Sequence, residues 1–228
     1  QDLEARAPGT RVGPSASWAV ADADVVVVAV KPNDVAAVLD SAIDALPAHA
    51  CVVSIAAGVT IADLEAHAPG RPVVRAMPNT PALVGRGATA IAPGSLATDD
   101  DLASAERLLS HVGTVARVPE HLLDAVTGLS GSGPAYVFLV VEALTEAGVL
   151  NGLPRDLAVD LVAQTLVGSA ELLLASDDGP EVLRANVTSP GGTPAAGLAE
   201  LERNGVRAAF LEAVTAATER SRELGRRA

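Results

Sequence analysis

Two glycine-rich segments in the second half of the chain could bind an anion. Thr127–Pro134 has the sequence TGLSGSGP, Thr188–Pro194 has the sequence TSPGGTP, and each leads into a predicted helix. Glycines expose backbone N–H groups, and the N-terminus of a helix adds partial positive charge. Such a segment can bind a carboxylate or a phosphate without a basic side chain. We therefore expect an anion-binding site in this half of the chain.

Three further segments directly follow predicted strands. They are Ala29–Pro32 (AVKP), Ala56–Val59 (AAGV) and Arg75–Pro81 (RAMPNTP). In an open α/β sheet, ligands bind beyond the carboxyl ends of the strands, and small residues there let a flat ring approach the backbone. Asn79 adds an amide group to the third segment. Taken alone, Lys31 is equally explained as a surface lysine, and Ala56–Val59 as an ordinary strand-to-helix turn.

The sequence lacks the residue sets of metal-dependent and nucleophilic enzymes. Its four histidines have no metal-ligand spacing, so we expect no metal. Neither a nucleophile elbow nor a cysteine paired with histidine is evident. The single cysteine, Cys51, begins an apolar run and is expected to be a buried, inert thiol. The chemistry is therefore expected to come from a bound cofactor, with the protein supplying position and hydrogen bonds.

Residues 1–118, which must position the first three segments, alternate predicted strands and helices. The valine run in Asp24–Val30 is typical of a parallel strand covered on both faces. This alternation favours a doubly wound α/β sheet. The other predicted strands are 10–13, 51–55, 73–77, 88–93 and 113–117, and the predicted helices are 2–7, 16–21, 33–46 (with Asn33 as cap), 60–67 and 99–111.

Residues 119–228 are predicted to be entirely helical, with helices at 121–127, 134–150, 155–175, 180–186, 194–204 and 206–223. The segment Ala135–Leu144 is apolar almost all round its circumference. Such a helix must be covered by other helices, often from another subunit. We therefore expect an all-α dimerisation domain, with one self-contained helical bundle as the alternative.

A glycine-rich nucleotide-binding turn is missing near the start of the chain. A dinucleotide-binding fold normally opens with a strand, a G-x-G-x-x-G turn and a helix. The nearest pattern, Gly128–Gly133, follows a predicted helix rather than a strand. The chain is therefore expected to begin inside such a fold, after its second strand, and to bind a cofactor weakly or not at all in this form.

Charge and apolar patterning limit the partners and the location. The net charge of −12 argues against nucleic acid and anionic membranes, because both require a basic surface. The longest uncharged apolar runs, Val25–Val30 and Ala135–Val141, are shorter than the ~20 residues that span a bilayer. Residues 1–12 lack the apolar region of a signal peptide. A cytoplasmic protein that contacts neither nucleic acid nor membrane is expected.

Five segments, in this order along the chain, resemble pyrroline-5-carboxylate reductases: Ala29–Pro32, Ala56–Val59, Arg75–Pro81, Asp124–Tyr136 and Asn186–Thr193. The resemblance implies a Rossmann-like domain at residues 1–118 and an all-α dimerisation domain at residues 119–228. It also implies a homodimer, in some cases assembled into a ring of dimers. The implied reaction is hydride transfer from NADPH or NADH to Δ1-pyrroline-5-carboxylate, which gives L-proline.

The resemblance also implies three sets of site residues. The cofactor-binding set is Ala29, Val30, Lys31, Pro32, Ala56, Ala57, Gly58 and Asn79. The substrate-binding set is Ser189, Gly191, Gly192 and Thr193, with the substrate carboxylate held by the first three. Thr127 and Ser130 form the catalytic pair, whose hydroxyls would lie close to the imine.

Pro194 departs from the family pattern. The family usually has a threonine there, whose hydroxyl faces the ring nitrogen of the substrate, and proline offers neither a hydroxyl nor an N–H. The loss of one neutral hydrogen bond would cost roughly 0.5–1.5 kcal/mol. Pro194 leaves another imine reductase of this architecture open as an alternative, and the missing nucleotide-binding turn leaves a non-catalytic dimerising fragment open as a second one. A hydroxyacid dehydrogenase would need a lysine in the helical domain, and Lys31 is the only lysine in the sequence.

Overall fold

The computed structural model describes residue 7 and residues 9–225, so the predicted helix at 2–7 lies outside the described residues except for its last position. The chain divides into two compact units. Unit 1 comprises residues 1–132 and 214–228, and unit 2 comprises residues 133–213. The predicted domain boundary between residues 118 and 119 stays a prediction.

Unit 1 contains a five-stranded sheet with the order β1-β2-β3-β4-β5. The strands are β1 (Val25–Val28), β2 (Cys51–Ser54), β3 (Val73–Met77), β4 (Gly87–Pro93) and β5 (Gly113–Arg117). All neighbouring pairs are parallel except β3 and β4, which are antiparallel. The nine residues 78–86 between those two strands are too few for the crossover that a parallel pair requires.

Helices cover both faces of this sheet. Among the described residues, unit 1 contains the helices α1 (Ala16–Val20), α2 (Val35–Ala42), α3 (Ile61–His67), α4 (Asp99–Leu109) and α5 (Leu123–Val126), together with the last part of the helix Val206–Gly225. One face packs against α2 and α3, and the other packs against α4 through Leu102, Ala105 and Leu109. All four residues of β2 are buried as a result, which is the expected state of a central strand in a doubly wound sheet.

Besides small shifts in the ends of several elements, two predictions for unit 1 need correction. Residues 10–13 form no strand, and the backbone N–H of Thr10 instead donates to the carbonyl of Ala7 at 3.1 Å. The predicted helix 33–46 begins as a 3₁₀ turn, Pro32–Asp34, and continues as α2, which ends at Ala42 rather than at residue 46. Proline is well suited to the first helical position, so the turn begins at Pro32 and the Asn33 cap was wrong.

Unit 2 consists of helices: α6 (Gly133–Leu150), α7 (Arg155–Ala175), α8 (Pro180–Asn186), α9 (Thr193–Arg203) and the first part of α10 (Val206–Gly225). Large apolar side chains remain exposed on it, among them Phe138, Leu139 and Leu161. Two stretches, Glu120–Leu150 and Arg155–Ala175, are long and apolar enough to cross a membrane by length and composition alone. Counting only uninterrupted apolar runs in the sequence missed both.

Candidate active site

The carboxyl ends of three adjacent parallel strands bring the predicted cofactor-binding segments to one edge of the sheet. Residues 29–32 follow β1, residues 56–58 follow β2, and residues 78–81 follow β3. Val28 pairs with Ser54 at the ends of the first two strands. Because β1, β2 and β3 are parallel, all three segments lie at the same edge. This is where an open α/β sheet binds its ligand.

The first segment is exposed at this edge. Ala29, Val30, Lys31 and Pro32 are all exposed. Lys31 has an extended backbone and precedes the 3₁₀ turn, and its carbonyl accepts a hydrogen bond of 2.9 Å from the N–H of Asp34. The segment therefore presents backbone groups and one lysine to a ligand without a covering side chain.

The second segment is tightly constrained. Gly58 has φ +81°, which only glycine adopts without strain. Ala56 is buried, and its N–H donates to the Ser54 hydroxyl at 3.3 Å. A Cβ on Gly58 would lie 3.7 Å from the Cβ of Leu224, near the end of α10. The C-terminal helix therefore contacts the loop that is expected to flank the nicotinamide.

Helix α3 begins directly after this segment and fixes its far end. Thr60 and Asp63 form a capping box, in which each side chain accepts from the other's backbone N–H. The N–H of Ile61 donates to the Glu120 carboxylate at 2.7 Å, and Arg75 donates to the same oxygen at 2.9 Å. Glu120, which the sequence analysis missed, thus joins the start of α3 to β3.

The glycine-rich segment Thr127–Pro134 is a continuation of α5 rather than a loop. Residues Thr127–Gly131 form a π-helical turn, and the N–H of Ser132 donates to the carbonyl of Thr127 at 2.8 Å. Pro134 has no N–H and cannot donate to the carbonyl of Ser130, four residues earlier. A wider turn accommodates that interruption, and such π-bulges are frequent at functional sites.

The two predicted catalytic hydroxyls lie on this π-turn. Thr127 Oγ1 donates to the carbonyl of Leu123 at 2.8 Å, and Ser130 Oγ donates to the carbonyl of Val126 at 3.1 Å. Both hydroxyl protons are therefore engaged with the preceding helical turn. Each hydroxyl oxygen also has lone pairs that can accept a hydrogen bond from a ligand N–H.

Asn79 connects the sheet edge to the π-turn. Its Nδ2 donates to the carbonyl of Ser130 at 3.0 Å, and its Oδ1 accepts from the N–H of Ala88 at 2.8 Å. A Cβ on Gly131 would lie 2.5 Å from the terminal methyl of Met77, so Met77 packs against the same turn. The structure thus brings a predicted cofactor-binding residue and a predicted catalytic residue into direct contact.

The last part of α10 supports the π-turn. A Cβ on Gly128 would lie 2.3 Å from Thr218 Oγ1 and 2.9 Å from the carbonyl oxygen of Val214. Ser221 Oγ donates to Asp124 Oδ1 at 2.7 Å, across 97 positions of sequence. These contacts could not be predicted from the sequence, because nothing in the pattern of a surface helix indicates its distant partners.

The predicted substrate-binding segment lies in unit 2. Gly191 has φ +69°, and the N–H of Gly192 donates to the carbonyl of Ser189 at 3.0 Å. Gly192 is the N-cap of α9, Thr193 is its first residue, and Ser189, Gly191 and Thr193 are exposed. Pro194 is the second helical residue, where the N–H has no partner within the helix in any case. The backbone therefore tolerates this proline.

Burial and charge raise the pKa of the Cys51 thiol well above its ordinary value. Burial, with a smaller effect from the Asp101 carboxylate, raises the pKa of the Cys51 thiol to about 12. This agrees with the expected inert thiol. Among the described residues, no group of three or more His, Cys, Asp and Glu side chains could hold a metal ion.

Comparison with known proteins identifies the family. Residues 120–224 match the family model described as pyrroline-5-carboxylate reductase dimerisation. The pyrroline-5-carboxylate reductase of Synechocystis is 48% identical over 220 residues, covering 95% of this chain and 81% of the relative. The chain belongs to the pyrroline-5-carboxylate reductase family. Residues 2–58 also match a model described as NADP oxidoreductase, coenzyme F420-dependent.

Solved structures of this family share the fold. A pyrroline-5-carboxylate reductase from Coxiella burnetii has a TM-score of 0.91 and 38% identity, covering 95% of this chain and 81% of that one. The Plasmodium falciparum pyrroline carboxylate reductase, solved with NADP bound, has a TM-score of 0.84 and 35% identity, covering 96% and 85%. These matches confirm the Rossmann-like domain followed by a helical dimerisation domain.

Proposed function

We propose that this reductase converts Δ1-pyrroline-5-carboxylate to L-proline with NADPH or NADH, the last step of proline biosynthesis. The observation that carries the proposal is the bond from Asn79 to the carbonyl of Ser130. It joins the edge of the sheet expected to bind the cofactor to the turn expected to carry the catalytic hydroxyls. The family relationship supplies the substrate and the reaction.

The residues at the sheet edge fit a nicotinamide cofactor. The strand ends converge at one edge, and Ala56, Ala57 and Gly58 leave room for a flat ring near the backbone. Ala29–Pro32 is exposed beside them and would line the ribose, with Lys31 supplying positive charge. A nicotinamide cofactor would supply hydride at this edge. The bound NADP of the Plasmodium falciparum relative supports this assignment.

Thr127 and Ser130 would position the imine. Their hydroxyl oxygens can accept a hydrogen bond from a protonated ring nitrogen, while their own protons stay bonded to Leu123 and Val126. No strong acid is required at this point, because an iminium ion already carries its proton. The π-turn would thus orient the substrate rather than donate a proton to it.

Ser189, Gly191, Gly192 and Thr193 would bind the substrate carboxylate. The N-terminus of α9 offers backbone N–H groups and partial positive charge. Pro194 removes one N–H and the hydroxyl that the family usually has there. We therefore expect a carboxylate site that is retained and a contact to the ring nitrogen that is weakened.

A homodimer accounts for the apolar surface of unit 2. Phe138 is 65% exposed and Leu139 is 64% exposed in the single chain, which is typical of an interface rather than of a free surface. We propose that a second copy of the chain, and not a lipid bilayer, covers α6 and α7. We also propose that the dimers can assemble into a ring and that the enzyme is cytoplasmic. The family model for dimerisation matches residues 120–224. This match supports contact with a second copy of the chain and the proposed division into domains 1–118 and 119–228.

The test is an NADPH oxidation assay with the purified protein. Consumption of NADPH on addition of Δ1-pyrroline-5-carboxylate, with proline identified by mass spectrometry, would support the proposal. NADPH binding without proline formation would contradict it. Pro194 makes a different cyclic imine the second candidate substrate. Turnover of such an imine, absent with Δ1-pyrroline-5-carboxylate, would favour that alternative.

A further inference from the structure

The carbonyl of Ser130 has an unusual donor. In a regular helix it would accept from the N–H four residues later, but residue 134 is proline and has none. The side-chain amide of Asn79, 51 positions earlier, donates to it instead at 3.0 Å. One side chain from the β3–β4 connection therefore replaces a bond that the helix cannot make.

The orientation of the Asn79 amide is fixed by main-chain groups. Its Oδ1 accepts from the N–H of Ala88 at 2.8 Å, so its Nδ2 must face the carbonyl of Ser130. Asn79 is the N-cap of the 3₁₀ turn Thr80–Val84, yet its side chain makes no capping bond. The side-chain oxygen of an N-cap asparagine normally accepts a hydrogen bond from a backbone N–H in the first turn of its own helix. The side chain of Asn79 instead bonds to Ala88 and to the π-turn.

We propose that Asn79 is a positioning residue that acts on the reaction through Ser130. This inference rests on the proposed function, because Ser130 is one of the two hydroxyls expected beside the imine. Ser130 Oγ donates to the carbonyl of Val126, so its placement depends on the path of the π-turn. Asn79 stabilises the backbone of the π-turn by donating a hydrogen bond to the carbonyl of Ser130.

The decisive variant is Asn79→Asp. It keeps an oxygen to accept from Ala88 but replaces the donor with a second acceptor, which repels the carbonyl of Ser130. The matched control is Asn151→Asp. Asn151 Nδ2 donates to the carbonyl of Ala147 at 2.8 Å on exposed surface, so the control loses the same type of bond outside the site.

Asn79→Asp is expected to lower kcat about ten- to hundredfold, because small displacements of positioning groups have effects of that size. The dissociation constant for NADPH, measured by fluorescence, should change less than about threefold. In a double-mutant cycle, Asn79→Asp should add less than about a twofold effect to Ser130→Ala. Asn151→Asp should leave all three quantities near those of the unchanged protein.

Hydrogen exchange tests the same contact without any turnover. The N–H of Ser132 bonds to Thr127 within the π-turn, and its exchange should accelerate about tenfold or more in Asn79→Asp and stay unchanged in Asn151→Asp. If the unchanged protein forms no proline, the proposed function fails while this readout still tests the contact. Should Asn79→Asp not fold, Asn79→Ala removes the donor without adding charge and is measured in the same way.

Three outcomes would overturn the proposal. A tenfold weaker NADPH affinity with unchanged kcat would make Asn79 a direct cofactor ligand. Additive effects with Ser130→Ala would show that Asn79 does not act through Ser130. Unchanged exchange at Ser132 would show that the bond does not hold the π-turn.

Discussion

Arg75 and Glu120 form an ion pair of 2.9 Å between β3 and the 3₁₀ turn that precedes the catalytic segment. The Arg75 side chain is 10% exposed, so few water molecules can replace the carboxylate. The same carboxylate oxygen accepts from the N–H of Ile61. One side chain therefore fixes both β3 and the start of α3, which follows the Ala56–Gly58 loop.

The first prediction concerns Glu120→Gln. We expect it to lower the free energy of unfolding by about 1–3 kcal/mol, because Arg75 would be left buried opposite a neutral group. Chemical denaturation measures the change. The control is Glu200→Gln, whose exposed pair with Arg203 should contribute less than about 0.5 kcal/mol. Equal losses of unfolding free energy in the two variants would show that the Arg75–Glu120 pair contributes no more to stability than an exposed pair does.

The second prediction separates strain from cofactor binding at Gly58. Gly58→Ala and Gly70→Ala both place a side chain at positive φ, +81° and +71°, so each should cost about 1–2 kcal/mol of stability. Apart from its chain neighbours, no described residue lies within 4 Å of a Cβ on Gly70, and of these two glycines only Gly58 lies at the proposed cofactor edge. A raised dissociation constant for NADPH is therefore expected in Gly58→Ala alone. Equal NADPH affinity in both variants would argue against the assigned cofactor loop.

The third prediction concerns the contact of the π-turn with α10. Gly128→Ala places a methyl group 2.9 Å from the carbonyl oxygen of Val214 and against Thr218. The backbone of Val214 cannot move aside as the end of a flexible side chain can. We therefore expect the free energy of unfolding to fall by about 1–3 kcal/mol and kcat to be lower. Gly133→Ala is the control, because a Cβ there comes within 4 Å of no described residue outside the adjacent backbone of its own helix. Thermal unfolding of the two variants side by side measures the difference.

The fourth prediction follows from the pKa of Cys51, which burial and then Asp101 raise from 9.0 to about 12. The folded protein binds the thiol proton more tightly than the unfolded chain does. The resulting stability is complete below pH 9 and is lost as the pH rises from 9 towards 12. Native protein should therefore resist iodoacetamide at pH 8, and unfolded protein should react. Rapid alkylation of native protein would show that the thiol is not buried.

Much of the fold could be predicted from hydrophobic periodicity and capping residues. The bounds of β3, β5, α7 and α8 were predicted to the residue. The helix predicted at 60–67 begins one residue later, because Thr60 is its N-cap and its hydroxyl accepts from the N–H of Asp63 at 3.1 Å. These elements have local causes that are visible in a short window of sequence.

The rest depends on contacts between distant positions. Glu120 and Ser221 resemble ordinary surface residues in sequence, and only the fold brings them to Ile61 and Asp124. Two features of the structure could have been predicted from the sequence. The nine-residue connection 78–86 implies an antiparallel β4, and Pro134 interrupts the helical bonding of Ser130.

The most direct test of the central claim is isotope transfer from the cofactor to the product. The purified protein is incubated with Δ1-pyrroline-5-carboxylate and NADPH that carries deuterium at both C4 positions. If the enzyme transfers hydride to the imine carbon, the proline formed contains one deuterium, located at C5. Protein that binds NADPH yet yields no deuterated proline would contradict the assignment as a pyrroline-5-carboxylate-reducing enzyme.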